Sequence, residues 1–143
     1  FDREGVLRAV QMEQVFAHAD VISLHLPSNK ETYHVIDAGA FAAMKDGVAF
    51  VNTARGALVD TQALIDALRS GKVGAASLDV FEEEPLPENS PLLELDNVLL
   101  TPHAAYYSSD SLPELQERST DEVIRTLTGK ENRMIFNKKD LGL

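Results

Sequence analysis

Arg55, His103 and the glutamate run Glu82, Glu83 and Glu84 are the residues of this 143-residue chain whose types could act together on a small organic acid. An arginine presents a planar fork of donors that matches a carboxylate at two points. A histidine titrates near neutral pH and can exchange a proton with a reacting oxygen. A glutamate beside it would hold its tautomer and raise its pKa. Arg55 stands in VNTARGALVD, where an apolar run ends on a fixed positive charge and Gly56 lets the backbone turn tightly or approach a ligand closely. The plainer alternative is an arginine paired with a local acid at a sheet edge. His103 follows a proline and precedes two alanines, so it can project from a stiff strand end. Of the other histidines, His18 and His34 read as helix or loop surface residues, and His25 lies near Pro27. All three glutamates qualify as the partner of His103, although at least two of them read as part of a solvated acidic loop. Asp79 differs, because it falls within an otherwise apolar strand where an unpaired carboxylate is costly. It requires a partner, either protein or ligand.

Composition narrows the possible roles. Asp and Glu number 23 against 13 Lys and Arg, a formal net charge of −10, with no basic run to neutralise phosphates, so nucleic acid is not expected as a direct partner. There is no cysteine, hence no disulfide framework, and no apolar run approaches the roughly 18 residues a membrane span needs. With no signal-peptide pattern, a cytoplasmic location is the expectation. Asp79, the glutamates and His103 could be imagined around a metal, but no HExxH-type pair fixes ligand geometry, so no metal is expected. A serine hydrolase would need a GxSxG elbow, which is absent.

The elements that must position these residues alternate. Helices are expected over residues 12–19, 38–45 (capped by Asp37, closed at Gly47) and 61–70 (capped by Asp60, ended by Gly71), with Leu64, Ile65 and Leu68 on one face. Strands are expected over 20–27, 48–53, 73–80 and 98–101, an exposed loop over 81–94, and a long amphipathic helix over 112–127 with Pro113 in its first turn and Gly129 at its end. Near-continuous apolar strands alternating with helices indicate an α/β fold, a doubly wound parallel sheet covered on both faces. In such sheets ligands bind outside the carboxyl ends of the strands. Those ends are His25-Leu26-Pro27, Thr53-Ala54-Arg55, Asp79 with the glutamates beyond it, and Thr101-Pro102-His103. Arginine, carboxylates and imidazole on one edge suit reduction of a keto acid, the guanidinium holding the carboxylate while the imidazolium protonates the carbonyl oxygen.

ADVISLHLP, VNTARGALVD, SLDVFEEEP and LLTPHAA, in this order and spacing, resemble the D-isomer-specific 2-hydroxyacid dehydrogenases, through the C-terminal half of their Rossmann-type cofactor domain. The resemblance runs from about residue 7 to the C-terminal tail. It implies an oxidoreductase that moves a hydride between NAD and a 2-keto or 2-hydroxy acid, homodimeric when complete. Arg55 would grip the substrate, His103 would exchange the proton, and Glu84, immediately before Pro85, would be its partner. Asp79 would contact the nicotinamide carboxamide, while Leu26, Pro27, Thr32, Thr53, Ala54, Arg55, His103 and Ala105 would line the cofactor and Tyr106 the substrate pocket. TPHAAYYS and the tail FNKKDL look most like the C-terminal-binding proteins, so a nucleotide-sensing corepressor is the alternative. Tyr106 replaces their tryptophan. The glutamine that formate dehydrogenases place before their histidine is absent, which disfavours formate. In that family the glycine-rich pyrophosphate loop and the substrate domain precede the position of Phe1, so the chain is expected to be a fragment, inactive alone. Residues 1–108 would form the partial cofactor domain and 109–143 a helix and tail returning to the substrate domain, with an exposed apolar face.

Overall fold

The computed structural model describes residue 5, residues 7–133 and residue 135. It divides into two compact units, residues 1–105 and 106–143. In the first, helix α1 (Met12–His18) leads into strand β1 (Val21–Leu24), followed by α2 (Ala38–Ala43), β2 (Val48–Asn52), α3 (Thr61–Arg69), β3 (Val73–Leu78) and β4 (Val98–Leu100). A 3-10 turn over Gly56–Leu58 precedes α3, and another over Pro91–Glu94 precedes β4. The strands form one parallel sheet in the order β1-β2-β3-β4.

Local sequence explains the helix boundaries. The Asp37 side chain accepts from Ala40 N and that of Asp60 from Ala63 N, each satisfying an amide that the helix itself cannot. Gly71 takes φ +77°, which suits the exit from α3. Gly47 lies beyond α2, which ends at Ala43 with Met44 as its C-cap, and turns the chain into β2 instead. Leu64, Ile65 and Leu68 are buried together as their spacing predicts, against a core that includes Phe50, Leu78 and Phe41, the last packed edge-on to Phe50 at 5.4 Å.

The Rossmann-like α/β class, a parallel sheet with helices followed by a C-terminal helix, is as expected, and the difference lies in how the sheet is covered. Helices were expected on both sheet faces, but the strands alternate: Ile22, Leu24, Val48, Phe50, Ala76 and Leu78 are buried, while Val21 and Leu99 are 62% and 63% exposed. Each parallel connection steps to the adjacent strand in the same direction, and crossovers of one hand then place α2 and α3 on the same face. The strand order does not reverse among the described residues, so only one winding of the Rossmann-like sheet is present there. The strands are also shorter than expected, each stopping before the polar residues at its carboxyl end.

The second unit holds α4 (Ser111–Leu127), with Pro113 in its first turn and Gly129 at φ +70° just beyond its end. No α4 residue is buried, and Leu115, Val123, Ile124 and Leu127 are more than half exposed. The FNKKDL tail lies outside the described residues. No helix among the described residues is long and apolar enough to cross a membrane.

Candidate active site

The register of the sheet builds the site. Leu24 pairs with Asn52, Asn52 with Leu78, and Leu78 with Leu100, so the four strands finish in one row. The next residues out, His25, Thr53, Asp79 and Thr101, begin the loops on that edge. Asp79 N donates to Asn52 O and Thr101 N to Leu78 O, extending the ladder by one step.

Asn52 is 1% exposed on the core side of the sheet, a polar residue where the pattern calls for an apolar one. Its side chain accepts from Ala54 N at 3.0 Å and donates to Arg55 O at 2.9 Å, fixing the turn from which Arg55 projects. Gly56 follows because a Cβ there would lie 1.9 Å from the carbonyl of Phe81. Any larger residue would push the Arg55 turn off the acidic loop. Arg55 is exposed; it donates through Nη1 to Ala54 O at 2.6 Å and forms no ion pair among the described residues. The alternative of an arginine spent on a local acid does not hold.

Asp79 is 3% exposed, and its partners are protein groups. Oδ1 accepts from Thr101 Oγ1 at 2.5 Å and from Ala104 N at 2.8 Å, and Oδ2 accepts from Ala105 N at 2.9 Å. Burial pushes its carboxyl up, but the bonds from Thr101, Ala105 and Ala104, with His103 nearby, outweigh burial and hold it below its ordinary value. One buried carboxylate therefore shapes the loop that carries His103. That residue sits not on a rigid strand end but three positions past β4, at φ +52°, with its amide donating to Thr101 O. Histidine is among the residues that tolerate this left-handed conformation, which recurs where side chains must be aimed.

His103 Nδ1 and Glu84 Oε2 are 2.8 Å apart, and Glu84 Oε1 accepts from Phe81 N. The bond to His103 is the largest influence lowering the Glu84 pKa, followed by the Phe81 amide, with Arg55 contributing through its charge. The three glutamates separate cleanly. Glu84 reaches His103, Glu82 reaches His34 at 2.5 Å and the amide of Thr61 at 2.9 Å, and Glu83 has no side-chain partner among the described residues. Glu84 and His103 border a cleft of about 490 Å³ whose apolar side includes Phe81, Leu86 and Leu100.

Five other expected site residues, Leu26, Pro27, Thr32, Thr53 and Ala54, belong to the loops on that edge. Leu26 and Pro27 are exposed beyond β1, and Thr32 Oγ1 donates to Pro27 O at 2.8 Å, closing that loop. Thr53 and Ala54 open the Arg55 turn, Thr53 exposed and Ala54 half-buried. Tyr106 begins the second unit, its ring 5.9 Å from that of Tyr107. Two contributors escaped the sequence reading. Asn52 had a detectable signal, an asparagine on the buried row of VAFVNT, whereas the His34–Glu82 pair joins residues 48 positions apart and had none.

Together these features describe an α/β protein with an exposed guanidinium and a carboxylate-oriented imidazole at the ligand edge of a parallel sheet, a site suited to binding an organic anion and moving one proton. Residues 1–105 match the family model described as "D-isomer specific 2-hydroxyacid dehydrogenase, NAD binding domain". The chain belongs to that family. It is 40% identical over 130 residues to a glyoxylate reductase of Thermofilum pendens, covering 91% of this chain and 38% of the relative. It is 50% identical over 99 residues to a D-3-phosphoglycerate dehydrogenase of Archaeoglobus fulgidus, covering 69% and 19%. The crystal structure of an Aquifex aeolicus D-lactate dehydrogenase with NAD and lactic acid superposes with a TM-score of 0.76 at 40% identity, covering 84% of this chain and 40% of that one. The chain thus spans about two-fifths or less of the length of these proteins.

Proposed function

We propose that this chain is the catalytic C-terminal part of the NAD-binding domain of a D-2-hydroxyacid dehydrogenase that reduces a small 2-keto acid. The observation that carries the reading is the convergence of Arg55, Glu84 and His103 on the carboxyl edge of the sheet, with Glu84 bonded to His103 and charge-coupled to Arg55. Arg55 grips the substrate carboxylate through its two-pronged fork. Glu84 accepts from Nδ1–H of His103, fixing the ring so that Nε2 delivers the proton to the carbonyl oxygen in reduction and receives it in oxidation.

NAD, when bound, supplies or accepts the hydride. The residues present fit its nicotinamide end. Among the described residues Asp79 Oδ2 takes a single hydrogen bond, from Ala105 N, which leaves acceptor capacity for a carboxamide donor. Leu26, Pro27, Thr53 and Ala54 provide a largely apolar ledge on the same edge, with Thr32 bracing its loop. Tyr106 borders the substrate in this reading. Residues 109–143 form the return to a substrate domain, and the working form is a cytoplasmic homodimer. The nearness to the C-terminal-binding proteins suggested by TPHAAYYS gains no support from relatives that are reductases and dehydrogenases by name, so the corepressor alternative is not favoured.

The test is NADH oxidation by the full-length protein against glyoxylate, hydroxypyruvate, pyruvate and bulkier 2-keto acids. Turnover of at least one is expected, and silence toward all of them would remove the enzymatic reading.

A further inference from the structure

A second histidine–glutamate pair lies on the same loop as the first. Glu82 Oε1 is 2.5 Å from His34 Nε2, and its Oε2 accepts from Thr61 N, the first amide of α3. Burial pushes the Glu82 carboxyl up, and the bonds from Thr61 and His34 outweigh it, so the carboxylate is held ionised between two donors. The three segments it joins already touch. His34 N donates to Ala57 O, Ile36 N to Leu58 O and Asp60 N to Ile36 O, so residues 34–36 run as a short parallel ladder beside 57–60. On the other side, Gly56 packs directly on the Phe81–Glu82 peptide with no room for a Cβ. The segment that starts at Arg55 is therefore clasped between residues 34–36 and 81–82, and the Glu82 carboxylate closes the clasp.

We infer that Glu82 is a positioning residue: with His34 and the Thr61 amide it fixes the 55–60 segment, and so sets the affinity of Arg55 for the substrate carboxylate without taking part in proton transfer. This rests on the functional reading above. Glu82 and Glu84 are separated by one residue, yet their side chains diverge, one to the segment that aims the guanidinium and the other to the imidazole that exchanges the proton. His34, like His103, holds a positive φ, +50°, and among the described residues these are the two non-glycine residues that do. Such a conformation persists where surrounding contacts over-determine it, and the clasp supplies them at His34. A guanidinium released from its seat by about 1 Å loses much of its two-point grip.

The experiment uses the full-length protein and its best 2-keto acid. Glu82→Ala is expected to raise the KM for the keto acid about tenfold while kcat stays within about twofold. Oxamate, as a carboxylate-bearing inhibitor, is expected to weaken in parallel. In an Arg55→Ala background the Glu82 substitution is expected to add nothing, because the residue acts through Arg55. A conservative Glu82→Gln change, which keeps an acceptor, is expected to recover part of the loss. An unchanged KM, a comparable fall in kcat, or the same tenfold loss in the Arg55→Ala background would each overturn the inference. Hydrogen exchange separates this from the functional reading: Glu82→Ala is expected to raise exchange at the Leu58 and Thr61 amides while Leu64 to Leu68 stay protected. Unchanged exchange at 58 and 61 overturns the clasp whatever the activity. Absence of turnover by the unsubstituted protein overturns the functional reading, and with it the role in affinity.

Discussion

His103–Glu84 and His34–Glu82 are pairs of the same two residue types, their glutamates on one loop and each histidine in a left-handed backbone conformation, but His103 bonds through Nδ1 and His34 through Nε2. Their surroundings differ. Glu84 anchors to a backbone amide of its own loop, leaving the pair on the ligand edge beside an open cleft and within the field of Arg55. Glu82 anchors to the first turn of α3, so its pair ties distant segments together. In the proposed reading a histidine–glutamate pair serves proton exchange where its glutamate leaves the imidazole beside a ligand-sized cleft, and bracing where its glutamate ties two segments of backbone.

Substitutions test that contrast. His103→Ala is expected to lower kcat by on the order of 10²–10⁴, while His34→Ala leaves kcat nearly unchanged and acts on KM. Steady-state kinetics of the two variants side by side would break the comparison if both lost kcat equally. Glu84→Gln, which keeps an acceptor for Nδ1–H but removes the negative charge that steadies the imidazolium, is expected to cost kcat on the order of 10²-fold. Gly56→Ala, which drives a methyl into the Phe81 carbonyl, is expected to destabilise by about 1–3 kcal/mol in chemical denaturation. A smooth accommodation there would mean that the Arg55 segment is not seated on the acidic loop.

The smallest effect is pH-dependent. The Asp79 carboxyl is held below its ordinary value in the fold, so its contribution to stability is complete above an unfolded pKa of about 3.9 and is lost as pH falls through that value toward the lower folded one. Acid titration of stability should therefore steepen below about pH 4, and Asp79→Asn should flatten that limb.

Much of this was legible in the sequence because it is local. Asp60 and Asp37 announce helix starts through their own side chains, and the four strand ends identify the ligand edge once the strands are known to be parallel. Glu84 was singled out by the family pattern; spacing alone left three glutamates equivalent. What escaped was set by tertiary register. The apolar runs suggested a sheet covered on both faces, but Val21 and Leu99 face outward because the strand order steps in one direction. Residues 81–94 read as an exposed loop from their glutamates and prolines, yet Leu92 is 2% exposed and Ser90 is buried, since the return from β3 to β4 packs on the core through a short 3-10 turn and no α-helix. His34 read as a surface residue because its partner lies 48 positions away.

The proposed division of labour between Arg55 and His103 can be tested directly, by steady-state kinetics of Arg55→Ala and His103→Ala in the full-length protein with its best 2-keto acid. Arg55→Ala should raise KM by roughly one to two orders of magnitude, from loss of charge-assisted hydrogen bonds to the carboxylate, while His103→Ala should act mainly on kcat. Equal and small effects from both substitutions would contradict the assignment of this edge as a hydride-transfer site.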